Sequence, residues 1–168
     1  MVRFAADLSA IRSGLYISGN GIDLPTAISV GKVNDVAICG STTSTSGMPT
    51  AQGHSATAYG KVDGFVLTLP PSGTYIYAFT YLGGTDNDVF TSITHDPNGS
   101  IVVGGWTASS NYKTWPEKIL VWVPPDDLRG TEGYFKEVGE NPFDNEYNGG
   151  STDGVVAKFS ASLSLIFS

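Results

Sequence analysis

Asp86, Asn87 and Asp88 stand side by side in the run GGTDNDV. Oxygen ligands this dense could hold a hard cation such as Ca²⁺, with Asp86 and Asp88 as carboxylate donors. The run lacks the glycine and closing glutamate of an EF-hand loop, and Asp and Asn in a Gly-rich turn also cap their own backbone. Calcium is the one cofactor this sequence raises; otherwise none is expected. A second concentration of carboxylates comprises Asp126, Asp127, Glu137, Glu140, Asp144 and Glu146. Glycosidic chemistry needs two such groups at fixed separation in unlike environments, whereas a solvated acidic face needs nothing further. His54 falls among small polar residues with no second His or Cys at zinc spacing, and His95 ends an apolar run. No serine occupies a nucleophile elbow. Asn98-Gly99-Ser100 fits a glycosylation sequon, but Asp96-Pro97-Asn98-Gly99 is a hairpin turn, and the turn accounts for it. No catalytic residue is assigned, and the chain is read as a non-enzyme.

The elements that must carry these residues are strands. Of 168 residues, 40% are hydrophobic, enough for a packed core, while only 15% are charged and 21 are glycine. Low charge with abundant Gly, Thr, Ser, Val and Tyr is the composition of turn-rich β structure. The net charge of −7 argues against a nucleic-acid surface, which needs clustered cations to replace counterions. No apolar run is long enough to span a bilayer, and the first residues carry no leader pattern. The single cysteine, Cys39, lies in the apolar run VAICG and reads as a buried reduced thiol.

One strand pattern recurs three times: RFAADLS from Arg3, DGFVLTLP from Asp63 and DGVVAKFS from Asp153. Aligning Phe4 with Phe65 gives a spacing of 61 residues, and makes Leu15, Ile76 and Ile166 equivalent. In that register LYISG, Leu15 to Gly19, is the strand after the first copy. Downstream, Asp23 and Asp88, Ile28 and Ile93, Gly40 and Gly105, and Thr42 and Thr107 are each 65 apart. The difference of four residues falls in the Tyr81-Leu82-Gly83-Gly84 region. TAISV, VAICG, TSITH and SIVVGG read as the remaining strands, and Ser41 to Gly60 as a surface loop or loose outer strand. In the DPNG turn, Asn98-Gly99 is expected to supply positive φ angles.

The spacing from Phe65 to Val155 is 90, so the second unit is longer by 90 − 61 = 29 residues, placed between Ala108 and Thr152. The predicted organisation is 1–62 as the first repeat, 63–152 as the second with insert 108–152, and 153–168 as the start of a third. The insert holds a predicted strand, KILVWV, and the aromatic residues Trp115, Trp122, Tyr134, Phe135, Phe143 and Tyr147. So aromatic a segment is expected to pack over an edge or against a protein partner.

The order DGFVLTL, TYIYAFTYLGGTDNDV, TSITHDPNGS, IVVGGWTAS resembles the bacterial β-propeller repeat family known as SBBP, over most of Arg3 to Ser109 and again from Asp153. In this register the first unit lacks the Tyr-Leu-Gly-Gly segment, and the insert matches nothing in the family pattern. The resemblance implies an all-β fold of four-stranded antiparallel propeller blades, here a partial ring of two blades plus the start of a third. It implies a structural role in secreted or cell-surface proteins, and no reaction. Two blades and a part cannot close a ring, so further repeats or further copies are expected as partners. The competing readings are a polysaccharide hydrolase or lyase using the repeat-related pair Asp23 and Asp88, and a subunit of a large intracellular complex, consistent with the unpaired Cys39.

Overall fold

A computed structural model describes residues 1–49, 51–112, 120–123, 134–137 and 149–167. The described residues form strands and connections without a helix. In chain order the strands are β1 (Val2–Phe4), β2 (Ile11–Gly14), β3 (Asp23–Val30), β4 (Val36–Thr42), β5 (Asp63–Leu69), β6 (Ala78–Leu82), β7 (Asp88–His95), β8 (Ile101–Thr107), β9 (Leu120–Val123), β10 (Tyr134–Glu137), β11 (Asp153–Phe159) and β12 (Leu165–Phe167). They make two four-stranded antiparallel sheets, ordered β3-β4-β5-β6 and β7-β8-β11-β12, and two hairpins, β1-β2 and β9-β10. Each sheet joins the later strands of one sequence repeat to the opening strands of the next.

Alternation decides which side chains meet. In β4 and β5, Ala37, Cys39 and Val66 point one way, into a layer completed by Phe90, Ile101, Val103, Ala157 and Phe159 of the second sheet. Ile38, Phe65, Leu67 and Leu69 point the other way, packing with Phe79, Tyr81 and Met48 and with Met1, Leu15 and Ile17 beside the first hairpin. The inner strands are therefore apolar on both faces. Phe65 and Phe79 stack at 6.1 Å, and Tyr81 meets Phe79 edge-on at 4.9 Å. Burying each such ring contributes roughly 2–3 kcal/mol. Cys39 is fully buried and free, and burial pushes its thiol above the ordinary range.

Hairpin geometry corrects the sequence register. β1 pairs with β2 through Val2↔Gly14 and Arg3↔Ser13; β5 pairs with β6 through Leu67↔Phe79 and Thr68↔Ala78. Phe4 is thus the counterpart of Leu69, not of Phe65, and the offset is 65 residues from Val2 through to Thr42. The matching loops agree: Leu8, Gly73 and Leu163 all sit at positive φ, of 59°, 64° and 59°. No four-residue drift exists. Leu15–Gly19 is not a strand; the second strand is Ile11–Gly14, so Ile11, not Leu15, matches Ile76. Tyr16-Ile17-Ser18-Gly19 is the counterpart of Tyr81-Leu82-Gly83-Gly84, so the first unit does contain that segment. The apparent match of two phenylalanines outweighed a turn whose left-handed residue is a leucine, an uncommon choice.

The DPNG turn forms as a hairpin, with Asp96 N donating to Ser100 O at 2.8 Å. Only Gly99, at φ +84°, takes the left-handed region, and Asn98 does not. The segment after β4 lies along β6: Gln52 bridges Ala78, and Phe79 N and Tyr81 N donate to Gln52 O and Ser55 O at 2.9 and 3.0 Å. It covers a strand edge that would otherwise be open. In the insert, β9 confirms the strand within KILVWV over Leu120–Val123.

Candidate functional site

Two pairs that recur at the 65-residue offset, Asp23 with Thr42 and Asp88 with Thr107, form one device, built twice. Asp23 opens β3 and Asp88 opens β7; Thr42 and Thr107 end the neighbouring strands β4 and β8 opposite them. Thr107 Oγ1 donates to Asp88 Oδ1, Ser109 Oγ donates to Asp88 Oδ2 at 2.9 Å, and Gly84 N donates to Asp88 Oδ2 at 2.7 Å. Ser109 N donates back to Thr107 Oγ1 at 2.9 Å. In the first sheet, Thr42 and Ser44 hydroxyls donate to Asp23 Oδ1, Gly19 N donates to Asp23 Oδ2 at 2.7 Å, and Ser44 N donates to Thr42 Oγ1 at 2.8 Å. Each carboxylate thereby ties the strand's entry turn to the neighbouring strand's exit. Asp23 and Asp88 are held each within its own sheet.

Asp63 joins this region from β5. Its Oδ2 accepts Tyr59 N and Gly60 N at 3.1 and 3.0 Å, while the buried Oδ1 has no hydrogen-bond partner. Gly83 lies between the sheets' two carboxylates: a methyl there would stand 2.5 Å from Asp63 Oδ1 and 2.7 Å from Asp88 Oδ2. Burial raises both carboxyls above the ordinary aspartate range. The charge of Asp88 adds to the rise at Asp63, against the pull of the two amides. At Asp88 the hydroxyl and amide donors oppose it, and Asp86 adds to it. Tyr81 is raised as well, by burial and then by the charges of Asp23 and Asp63. Such a pair in an open cleft would suit acid–base work. Here a cavity of about 150 Å³ beside Gly83 is lined by His54, Ser55, Tyr59, Tyr81 and Leu82 as well, and neither carboxyl lines it.

Of the two cation candidates, Asp88 is turned inward onto its three donors, and Asp86 pairs with Lys61 at 3.0 Å on the surface. Among the described residues, no three His, Cys, Asp or Glu side chains converge as metal ligands would. Also among the described residues, no helix is long and apolar enough to cross a membrane.

A constellation that sequence reading missed lies at the other end of the sheet junction. Ser29 Oγ is 2.9 Å from His95 Nδ1, and Asp35 Oδ2 is 3.4 Å from His95 Nε2. Ser, His and Asp in contact invite comparison with a hydrolase triad. The His95 side chain is only 6% exposed, however, and Ser29 Oγ also accepts the His95 amide at 3.2 Å. The hydroxyl joins two strands across the junction. Thr26 does the same, donating to Phe90 O at 2.6 Å. The signal available in the sequence was the 65-residue offset, which sets Ser29 against Thr94 and Val30 against His95, but no spacing rule links residues 66 apart.

At the sequon, Asp96 Oδ1 accepts Asn98 N and Ser100 N at 2.8 and 2.9 Å. Lys158 donates to Asp96 Oδ2 at 2.8 Å, and holds that carboxyl down to about 2 with the help of these amides. In the insert, Trp122 is in register with Phe135, and Val123 with Tyr134, across the β9-β10 pair. Trp115, Phe143 and Tyr147 lie outside the described residues, as do Asp126, Asp127, Glu140, Asp144 and Glu146. No protein-family model matches the chain, and no curated protein matches its sequence.

Proposed function

We propose that the chain is a non-catalytic scaffold and binding module, a sector of a β-propeller whose two four-stranded sheets are blades of a larger ring. The observation that carries this reading is the doubled Asp–Thr–Ser device. The carboxylates and hydroxyls repeated at a 65-residue offset are engaged in joining strands. They serve the stack, and leave the sheet faces and the insert for partners. In support, the sheets stack in one sense: the face bearing Ala37, Cys39 and Val66 packs on the opposite face of the next sheet. The counterpart of Val66, fully buried, is Val156, 54% exposed on the second sheet's far side. An apolar face so placed is suited to a further blade.

The likeness to SBBP repeats fits an extracellular, cell-surface or filament assembly with protein partners. The Asp86–Asp88 turn acts as a structural latch in this reading, and no cofactor is required. The insert's Trp115, Trp122, Tyr134, Phe135, Phe143 and Tyr147 form the partner-contacting surface, since aromatic residues supply contact area at low entropic cost. Deleting residues 115–147 tests this: partner binding is expected to be abolished while β content by circular dichroism is retained. Unchanged binding would refute the role given to the insert.

A further inference from the structure

Three asparagines precede a glycine: Asn20, Asn98 and Asn148. That pairing carries a chemistry of its own. A glycine sets no side chain beside its own peptide nitrogen, so the nitrogen can reach the carboxamide carbon of the preceding asparagine and close a five-membered ring. Asparagine counts among the thermolabile residues. In a folded chain the reaction depends on how firmly the carboxamide and that nitrogen are held. Asn148 lies outside the described residues, which leaves Asn20 and Asn98 to compare.

Both are exposed, and they differ in anchoring. Asn20 Oδ1 accepts Thr45 N and Ser46 N at 3.0 and 3.2 Å, and its Nδ2 donates to Thr45 Oγ1 at 3.4 Å. Gly21 N donates to Ser44 Oγ at 2.8 Å. The space beside Gly21 is filled as well: a methyl there would stand 2.5 Å from Thr43 Oγ1 and 2.8 Å from the Thr43 carbonyl carbon. At the DPNG turn, by contrast, no group among the described residues hydrogen-bonds the Asn98 carboxamide. Gly99 N donates to Asp96 O at 3.1 Å, and a methyl on Gly99 would meet nothing within 4 Å.

We propose that Asn98 is a site of spontaneous covalent modification, its free carboxamide closing onto the Gly99 nitrogen. The Gly99 nitrogen gives up its proton and attacks Asn98 Cγ. The bond from Cγ to the side-chain nitrogen breaks, and ammonia leaves carrying that proton. Water then opens the cyclic imide. Cleavage at the former side-chain carbonyl gives aspartate; cleavage at the main-chain carbonyl gives isoaspartate, in which the chain runs through Cβ and Cγ. Nothing is oxidised or reduced. The turn depends on the main chain of residue 98, since Asp96 Oδ1 accepts Asn98 N and Ser100 N at 2.8 and 2.9 Å while Lys158 holds Oδ2 at 2.8 Å. Isoaspartate inserts a methylene between those two amides and sets a new carboxylate near Asp96. The modification therefore loosens the β7-β8 hairpin at the end where Lys158 of β11 ties to it.

Peptide mass spectrometry of the whole chain, held folded at mildly alkaline pH, tests this. Asn20 must give up three carboxamide hydrogen bonds before it reacts and Asn98 none. Asn98 should therefore convert faster than Asn20 by on the order of tenfold or more. In urea, where neither is anchored, the two rates should converge. Equal rates in the folded chain, or an Asn98 that reacts only in urea, would overturn the proposal. Ageing should also lower the parent's urea midpoint and leave that of Asn98→Ser unchanged. An equal loss in both would show that the modification does not loosen the hairpin.

Discussion

Replacing Thr107 by Val keeps shape and removes one hydroxyl from the centre of the second sheet's latch. Thr107 is 3% exposed. Its hydroxyl donates to Asp88 Oδ1 and accepts the Ser109 amide at 2.9 Å. The substitution leaves both a buried carboxylate oxygen and a buried N–H unpartnered, at about 1–3 kcal/mol each. The added methyl returns about 0.8 kcal/mol. The net loss is about 1–5 kcal/mol, a large share of a typical domain's stability. With a urea dependence of about 2 kcal/mol per molar, the unfolding midpoint falls by about 0.5–2.5 M. The twin substitution, Thr42→Val, orphans the Ser44 amide in the same way. Asp23 is only half-buried, though, and its Oδ1 keeps the Ser44 hydroxyl at 2.9 Å. Thr42→Val should therefore cost about half as much. Urea titration followed by tryptophan fluorescence measures both. A Thr107→Val midpoint within about 0.3 M of the parent, or a larger loss at Thr42, would refute the assignment of these residues to strand-locking.

Two further outcomes follow from the charges. Asp63 and Asp88 have folded pKa values raised by burial. Their contribution to stability is therefore whole below about pH 4, the unfolded aspartate value, and is lost as pH rises through the raised folded values. Asp63→Asn, whose amide resembles the protonated acid, should flatten that decline in urea midpoints between pH 4 and 8; an unaltered slope would contradict it. Asp96 has the opposite sign, since Lys158 holds it at about 2: its contribution is present above about pH 4 and lost as pH falls towards 2. Lys158→Met should blunt this acid-side loss, and an identical acid limb in the variant would show the pair to be idle.

The sequence made the strand content legible because its strongest runs, VAICG and DGFVLTL, are apolar on both faces and could only be interior strands. The DPNG turn was legible from its own chemistry. The register of the first repeat was not, because Leu8 takes a left-handed angle that no propensity assigns to leucine, and Phe4 resembled the wrong partner. The site was half legible. Asp23, Asp88, Thr42 and Thr107 stood out by their common offset, but spacing alone does not show which way a carboxylate turns. The Asp63–Gly83–Asp88 junction and the Ser29–His95–Asp35 contact depend on how two sheets face each other, and that is fixed by packing across the chain rather than by any local pattern.

The sense in which the sheets stack is the claim on which the scaffold reading rests, and methyl NMR tests it most directly. Val66 and Val156 occupy the same place in successive sheets, yet Val66 is buried and Val156 is 54% exposed. The Val66 methyls should show Overhauser contacts across the layer to the group containing Phe90, Val103 and Ala157, and the Val156 methyls should show none to the first sheet. Contacts from Val156 to β4 or β5, or none across the layer from Val66, would contradict the stack.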